Sequence, residues 1–122
     1  MTNFILIGVV IVFTVLSQLV LKYGQHTFYY PANFSSSELI KMTGLNLTNW
    51  YVIGCIVLTL AAGLAWLLVI QNMPLSRAYP LMSLNYVAIY ILSWILFSEP
   101  ISIPSLIGMG LVVFGTGLLG FK

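Results

Sequence analysis

Residues 4–22 read FILIGVVIVFTVLSQLVLK, and the solvent this run requires decides the fold. Only its last residue, Lys22, is charged. As a helix, about 20 mostly apolar residues cross the hydrocarbon core of a bilayer. Three more runs have this character: residues 50–70 (WYVIGCIVLTLAAGLAWLLVI), 76–97 (SRAYPLMSLNYVAIYILSWILF) and 104–121 (PSLIGMGLVVFGTGLLGF). The chain as a whole is 61% hydrophobic and 5% charged, against about 25% charged in a soluble domain. Water is therefore the wrong solvent for its surface. In lipid, backbone polar groups must be satisfied within the segment, which selects helices. The expected fold class is an all-α membrane protein, with four transmembrane helices in a single domain over residues 1–122.

The connections set the topology. Short links, QNMPLS and SEPISIP, make the second, third and fourth helices antiparallel neighbours. Pro74 suits the first turn of a helix and Ser76 a cap. Residues 24–48 form a polar, aromatic loop. Within it SSSELIKM has the serine–glutamate spacing of a short capped helix, and Tyr29, Tyr30 and Trp50 suit an interfacial aromatic belt. The loop reads either as a surface anchor or as a lid over a lipid entrance. No basic region precedes the first run and no small-residue cleavage site follows it, so it reads as a retained helix rather than a signal peptide. Both termini share one side with Arg77 and Lys122, while Lys22 and Lys41 share the other with Glu38 and Glu99. Two basic residues against two leave orientation open, although a long loop poor in positive charge leans the termini towards the cytoplasm.

Several classes of chemistry are excluded. Cys55 is the only cysteine and His26 the only histidine, so neither a disulfide nor a histidine-based metal site can be assembled. No nucleophile–base pair is evident, and no enzymatic role, metal or cofactor is expected. A net charge of +2 is too small and too scattered for a nucleic-acid partner.

What remains polar lies on stripes. Thr14, Gln18 and Lys22 recur every four residues along one face of the first helix, with Ser17 at its border. Thr59, Gly63 and Trp66 line the second, with Gln71 at its end. Tyr79, Ser83, Tyr86 and Tyr90 share a face of the third, with Asn85 beside them. An ionised side chain at the bilayer centre costs about 2.5–3.5 kcal/mol on insertion scales. Lys22 is close enough to its span end to snorkel, but Gln18 needs a partner or a wet cavity. Together they point to a polar crevice opening towards the long loop and suited to an anion such as a phosphate. Acids occur only at 38 and 99, so no carboxylate lies mid-span to hold a proton or a cation. The crevice should prefer neutral or anionic head groups.

Two backbone features complete the reading. Pro80 removes a helix hydrogen bond and frees a carbonyl, making either a fixed kink or a hinge. In the fourth helix Gly108 and Gly115 are two turns apart on one face, widened by Gly110, Gly117 and Gly120. Small residues let membrane helices approach closely, here within the chain or, as we favour, between two chains, because four short helices enclose little volume for a transport path.

With these elements in place, residues 65–108 resemble a known pattern. PLSRAYPLMSLN and SEPIS resemble the drug/metabolite transporter superfamily, and more narrowly the four-helix small multidrug resistance proteins. Among these, the small subunits of the undecaprenyl-phosphate-aminoarabinose flippase are the most similar, and SQLVLK matches their Gln and Lys spacing. The resemblance implies a homodimer, or a heterodimer with a homologous four-helix subunit, in the bacterial inner membrane. It implies movement of a lipid-linked sugar phosphate between leaflets. Thr14 falls where cation-exporting relatives keep a glutamate, a departure that removes drug/proton antiport and agrees with the count of acids.

On that reading the polyprenyl tail stays in the bilayer. Lys22 neutralises the phosphate, and Gln18, Ser83, Asn85 and Tyr86 hydrogen-bond sugar hydroxyls. Thr14 borders them, Trp66 or Tyr79 stacks on a sugar face, and Glu99 pairs with a substrate amine or with Lys22. Two alternatives stand beside it: an exporter of organic cations that uses the aromatic residues in place of an acid, and a non-transporting membrane scaffold subunit.

Overall fold

The computed structural model describes residues 1–120. Phe121, the last residue of the fourth expected span, and Lys122, assigned above to the terminal side, lie outside the described residues. The helices are α1 (Thr2–Tyr23), α2 (Ser36–Leu47), α3 (Trp50–Asn72), α4 (Leu75–Met82), α5 (Leu84–Phe97) and α6 (Ile103–Gly120), with one 3₁₀ turn at Gln25–Thr27. By length and composition α1, α3, the continuous apolar run Leu75–Phe97 and α6 can each cross a membrane. The protein is a multi-pass membrane protein with four spanning helical segments.

The helices begin and end for local reasons. Ser35 caps α2, its hydroxyl accepting the Glu38 N–H as the serine–glutamate spacing predicts. The Asn49 side chain caps α3 by accepting the Tyr51 N–H at 3.0 Å. Pro74 occupies the N-cap position of α4, whose first residue is Leu75; no side chain caps it, and Ser76 lies inside the helix.

The third span departs from a continuous helix. Pro80 has no N–H to offer, and beyond it the backbone tightens: the Ser83 N–H donates to the Pro80 carbonyl at 3.1 Å, and the Tyr86 N–H to the Ser83 carbonyl at 3.0 Å. These three-residue spacings are 3₁₀ geometry. They separate α4 from α5 at Ser83, three residues after the proline itself.

The core lies where α1, α3 and α4 meet, built from Ile7, Val10, Ala62, Val69, Met73, Ala78 and Leu81. The α1–α3 pairing is the most extensive; α6 packs on α4 and α5, and α5 also touches α1. Most remaining apolar surface points outward, including Leu60, Leu64 and Leu67 on α3. In a bilayer this surface faces hydrocarbon, so its exposure carries no hydrophobic penalty.

The start of the loop before α3 is hydrogen-bonded to α2 and to the cap of α3. The Asn46 amide donates to the Tyr29 carbonyl at 3.1 Å and accepts the Tyr29 N–H at 2.8 Å. The Asn49 amide donates to Thr27 Oγ1 at 2.8 Å. These bonds fold residues 25–30 back over the end of α1 and so define one wall of the site.

Candidate functional site

The polar stripe of α1 faces α5, and two grooves open along that seam. The inner one, about 590 Å³, lies among Val10 and Thr14 of α1, Thr59, Gly63 and Trp66 of α3, and Tyr79, Ser83, Asn85 and Tyr86 of the α4–α5 segment. The outer one, about 410 Å³, is bounded by Gln18 and Lys22 of α1, Ile89, Ser93 and Phe97 of α5, and Glu99, with Gln25, Phe28 and Tyr30 of the folded-back loop as its roof.

The helical repeat explains this alignment. Thr14, Gln18 and Lys22 rise about 6 Å per step on one helix face. On the opposing helix Tyr86, Ile89, Ser93 and Phe97 recur every three or four residues. The expected single crevice is therefore two grooves in line, which share no lining residue. Thr14, Trp66, Tyr79, Ser83, Asn85 and Tyr86 gather at the inner groove; Gln18, Lys22 and Glu99 gather at the outer one.

The inner groove combines an aromatic wall with hydrogen-bonding groups. The rings of Trp66 and Tyr79 meet edge to face, with centroids 5.3 Å apart and planes at 73°, a favoured aromatic geometry. Thr14 spends its proton on the Val10 carbonyl at 2.7 Å, so towards the groove its hydroxyl can only accept. Asn85 Oδ1 is buried without a hydrogen-bond partner among the described residues. A buried orphan acceptor costs about 1–3 kcal/mol, and a donor from a bound molecule would satisfy it. No carboxylate lines this groove.

The outer groove holds the charges. The Lys22 ammonium donates to Glu99 Oε1, joining the last turn of α1 to the residue just beyond α5. It also lies 5.5 Å from the centroid of the Phe97 ring, within cation–π reach. The backbone aims Glu99. Ser98 ends α5 in the left-handed region at φ 52°, the one positive φ at a non-glycine among the described residues. Pro100 then disfavours helical backbone at Glu99.

An apolar groove of about 290 Å³ adjoins the charged one and shares Leu19 and Phe97 with it; Val20, Tyr23, Tyr51 and Leu96 complete its lining.

Other expected residues lie elsewhere. Tyr90 and Gln71 line neither groove of the seam. Pro80 lies inside α4, three residues before the α4–α5 joint at Ser83. Gly108 and Gly115 face open space, where an added Cβ would meet nothing within 4 Å, as at Gly110 and Gly117. Gly120 instead packs on Leu81.

Sequence reasoning missed Thr116, which is buried in α6 and hydrogen-bonded to Ser83 and to the Pro80 carbonyl; a lone threonine in a glycine-rich helix carries no pattern. It also missed Gln25, Phe28 and Tyr30, which reach the groove only because the loop folds back.

The comparisons with known proteins agree with this architecture. Three relatives are each described as a "probable 4-amino-4-deoxy-L-arabinose-phosphoundecaprenol flippase subunit ArnE". The Pseudomonas fluorescens protein is 46% identical over 57 residues, covering 47% of this chain and 50% of that protein. The Klebsiella pneumoniae protein is 41% identical over 69 residues, covering 56% and 62%. The Aeromonas salmonicida protein is 42% identical over 65 residues, covering 52% and 57%. The chain thus spans about half the length of the curated relatives it matches, or somewhat more. No solved structure matches it. The Small Multidrug Resistance protein family matches residues 32–112, from the polar loop into α6, and the chain belongs to that family.

Proposed function

We propose that this chain is the small subunit of a membrane flippase that moves a polyprenyl-phosphate-linked sugar, of the aminoarabinose type, across the bacterial inner membrane. It works as a pair of four-helix chains, identical or homologous. One observation carries the reading: Lys22 and Gln18 line a charged groove that adjoins an apolar one, the two sharing Leu19 and Phe97. A polar head next to an apolar groove is the division that a prenyl phosphate requires.

The chemistry follows from the lining. Lys22 binds the phosphate through a charge-assisted hydrogen bond, and the Gln18 amide beside it takes a phosphate or sugar oxygen. The first isoprenyl units lie along Leu19, Tyr23, Tyr51 and Leu96, and the remaining tail stays in lipid. Deeper in the seam, Asn85, Ser83, Thr14 and Tyr86 exchange hydrogen bonds with sugar hydroxyls, while Trp66 and Tyr79 offer ring faces or edges to the sugar. The partner chain meets this one through the open glycine face of α6. The proline joint between α4 and α5 lets the seam open to alternate sides.

Reconstitution with a labelled polyprenyl-phosphate sugar, read by exposure of the head in each leaflet, tests the proposal. Head exposure in the opposite leaflet above protein-free vesicles is expected; transfer no faster than in protein-free vesicles refutes it.

The Trp66–Tyr79 pair favours one further reading, export of an organic cation through cation–π contacts. Binding of a quaternary ammonium dye that is lost in Trp66→Ala and Tyr79→Ala would support that reading instead.

A further inference from the structure

We infer that Glu99 is a specificity determinant, and that the Lys22–Glu99 ion pair selects head groups carrying both an anion and a cation. This rests on the lipid-phosphate reading above and adds to it the residue that discriminates an amine-bearing head from a purely anionic one.

Lys22 does not wait in the groove as a free ammonium; it is already neutralised by Glu99. Both side chains remain about two-fifths exposed and line the groove with Gln18, Gln25 and Tyr30. A phosphate that takes Lys22 must displace this carboxylate. Among the described residues no free lysine or arginine stands near the displaced Glu99: Lys41 is paired with Glu38 on α2, and Arg77 lies at the opposite end of the spans.

The backbone sets where Glu99 starts: it stands between a left-handed Ser98 and Pro100, beside the groove that it lines. A non-glycine residue keeps a left-handed conformation at a cost, and such outliers gather where a side chain must be aimed.

A purely anionic head therefore leaves two negative charges around one ammonium. A head that brings its own ammonium replaces one ion pair by two, phosphate with Lys22 and amine with Glu99, and the groove stays neutral. The carboxylate thus penalises the wrong ligand as much as it attracts the right one, the usual way an interface acquires specificity.

The test compares equilibrium binding of two lipids to the full chain in non-ionic detergent micelles: a polyprenyl phosphate bearing an amino sugar, and the same lipid with the amine N-acetylated. The wild-type chain should bind the amino form at least about tenfold more tightly. Glu99→Gln should erase that ratio by tightening the N-acetyl form, because Lys22 is released. Lys22→Ala should weaken both. Equal binding by the wild type, tighter binding of the N-acetyl form, or a ratio that survives Glu99→Gln would make Glu99 a clasp between α1 and α5; the inference would fall while the lipid-phosphate reading stood. Failure of the folded wild-type chain to bind either lipid would refute that reading, and this inference with it. Equal binding or an inverted ratio in the wild type overturns the inference without any variant, and where Glu99→Gln does not fold, Glu99→Ala must erase the ratio in its place.

Discussion

Thr116 Oγ1 in α6 donates a 3.0 Å hydrogen bond to the carbonyl of Pro80 in α4. Ser83 Oγ lies 2.6 Å from the same hydroxyl and also bonds that carbonyl. The same carbonyl accepts the Ser83 N–H within the third span. The neighbouring span adds a further donor, which ties the joint of the third span to the fourth.

Replacing Thr116 with Val keeps the shape and removes the donor, so it should destabilise the chain by about 0.5–1.5 kcal/mol. Thr116→Ser should restore most of that. Unfolding of the purified chain in mixed micelles, followed by helix content, measures both. A Val variant as stable as the wild type would show that the tie contributes nothing.

Lys22→Ala and Gln18→Leu should leave the four spans assembled, since neither residue belongs to the α1–α3–α4 core. Losing a charge-assisted bond to phosphate costs about 1.5–3 kcal/mol, or roughly tenfold to a hundredfold in affinity. Head-group translocation should fall accordingly for Lys22→Ala and less for Gln18→Leu. Full transport in Lys22→Ala would remove this residue from the site.

The glycines should divide into two kinds. A methyl at Gly24 would overlap the Tyr51 ring, so Gly24→Ala should destabilise the chain by about 1–3 kcal/mol. Gly108→Leu and Gly115→Leu meet open space within the chain and should cost the single chain less than about 0.5 kcal/mol. On the α6 pairing proposed above they should nevertheless abolish cross-linked dimers. Dimers that persist unchanged would place the interface elsewhere.

The Tyr29 phenol donates to Glu38 Oε2 at 3.1 Å, and this bond, reinforced by the carboxylate's charge, raises its pKa above the ordinary 10.0. The folded loop holds the proton more tightly than the unfolded chain. The stabilisation is therefore complete below pH 10.0 and disappears as pH rises through the folded value. In an ultraviolet titration Tyr29 should ionise later than an unperturbed tyrosine, and Glu38→Gln should bring it earlier. An unchanged tyrosinate curve in Glu38→Gln would exclude the bond.

A great deal of this protein was legible before any coordinates. Four apolar runs of bilayer length, almost without charge, dictate four helical spans, because lipid leaves the backbone no other partner. Periodicity alone put Thr14, Gln18 and Lys22 on one stripe and Tyr79, Ser83 and Tyr86 on another, since a helix repeats every 3.6 residues whatever surrounds it. The cap at Ser35 was readable for the same reason: its bonds span three residues.

Contacts between distant segments were not readable. That the two stripes face each other, that the seam divides into an aromatic inner groove and a charged outer one, and that residues 25–30 roof the latter depend on which helices pack together. The pairing of Lys22 with Glu99 links residues 77 positions apart, and Thr116 reaches Pro80 across 36. Local sequence sets the solvent, the spans and the faces because those follow from short-range bonding and periodicity. Tertiary packing alone decides which face meets which, and therefore where each charge finds its partner.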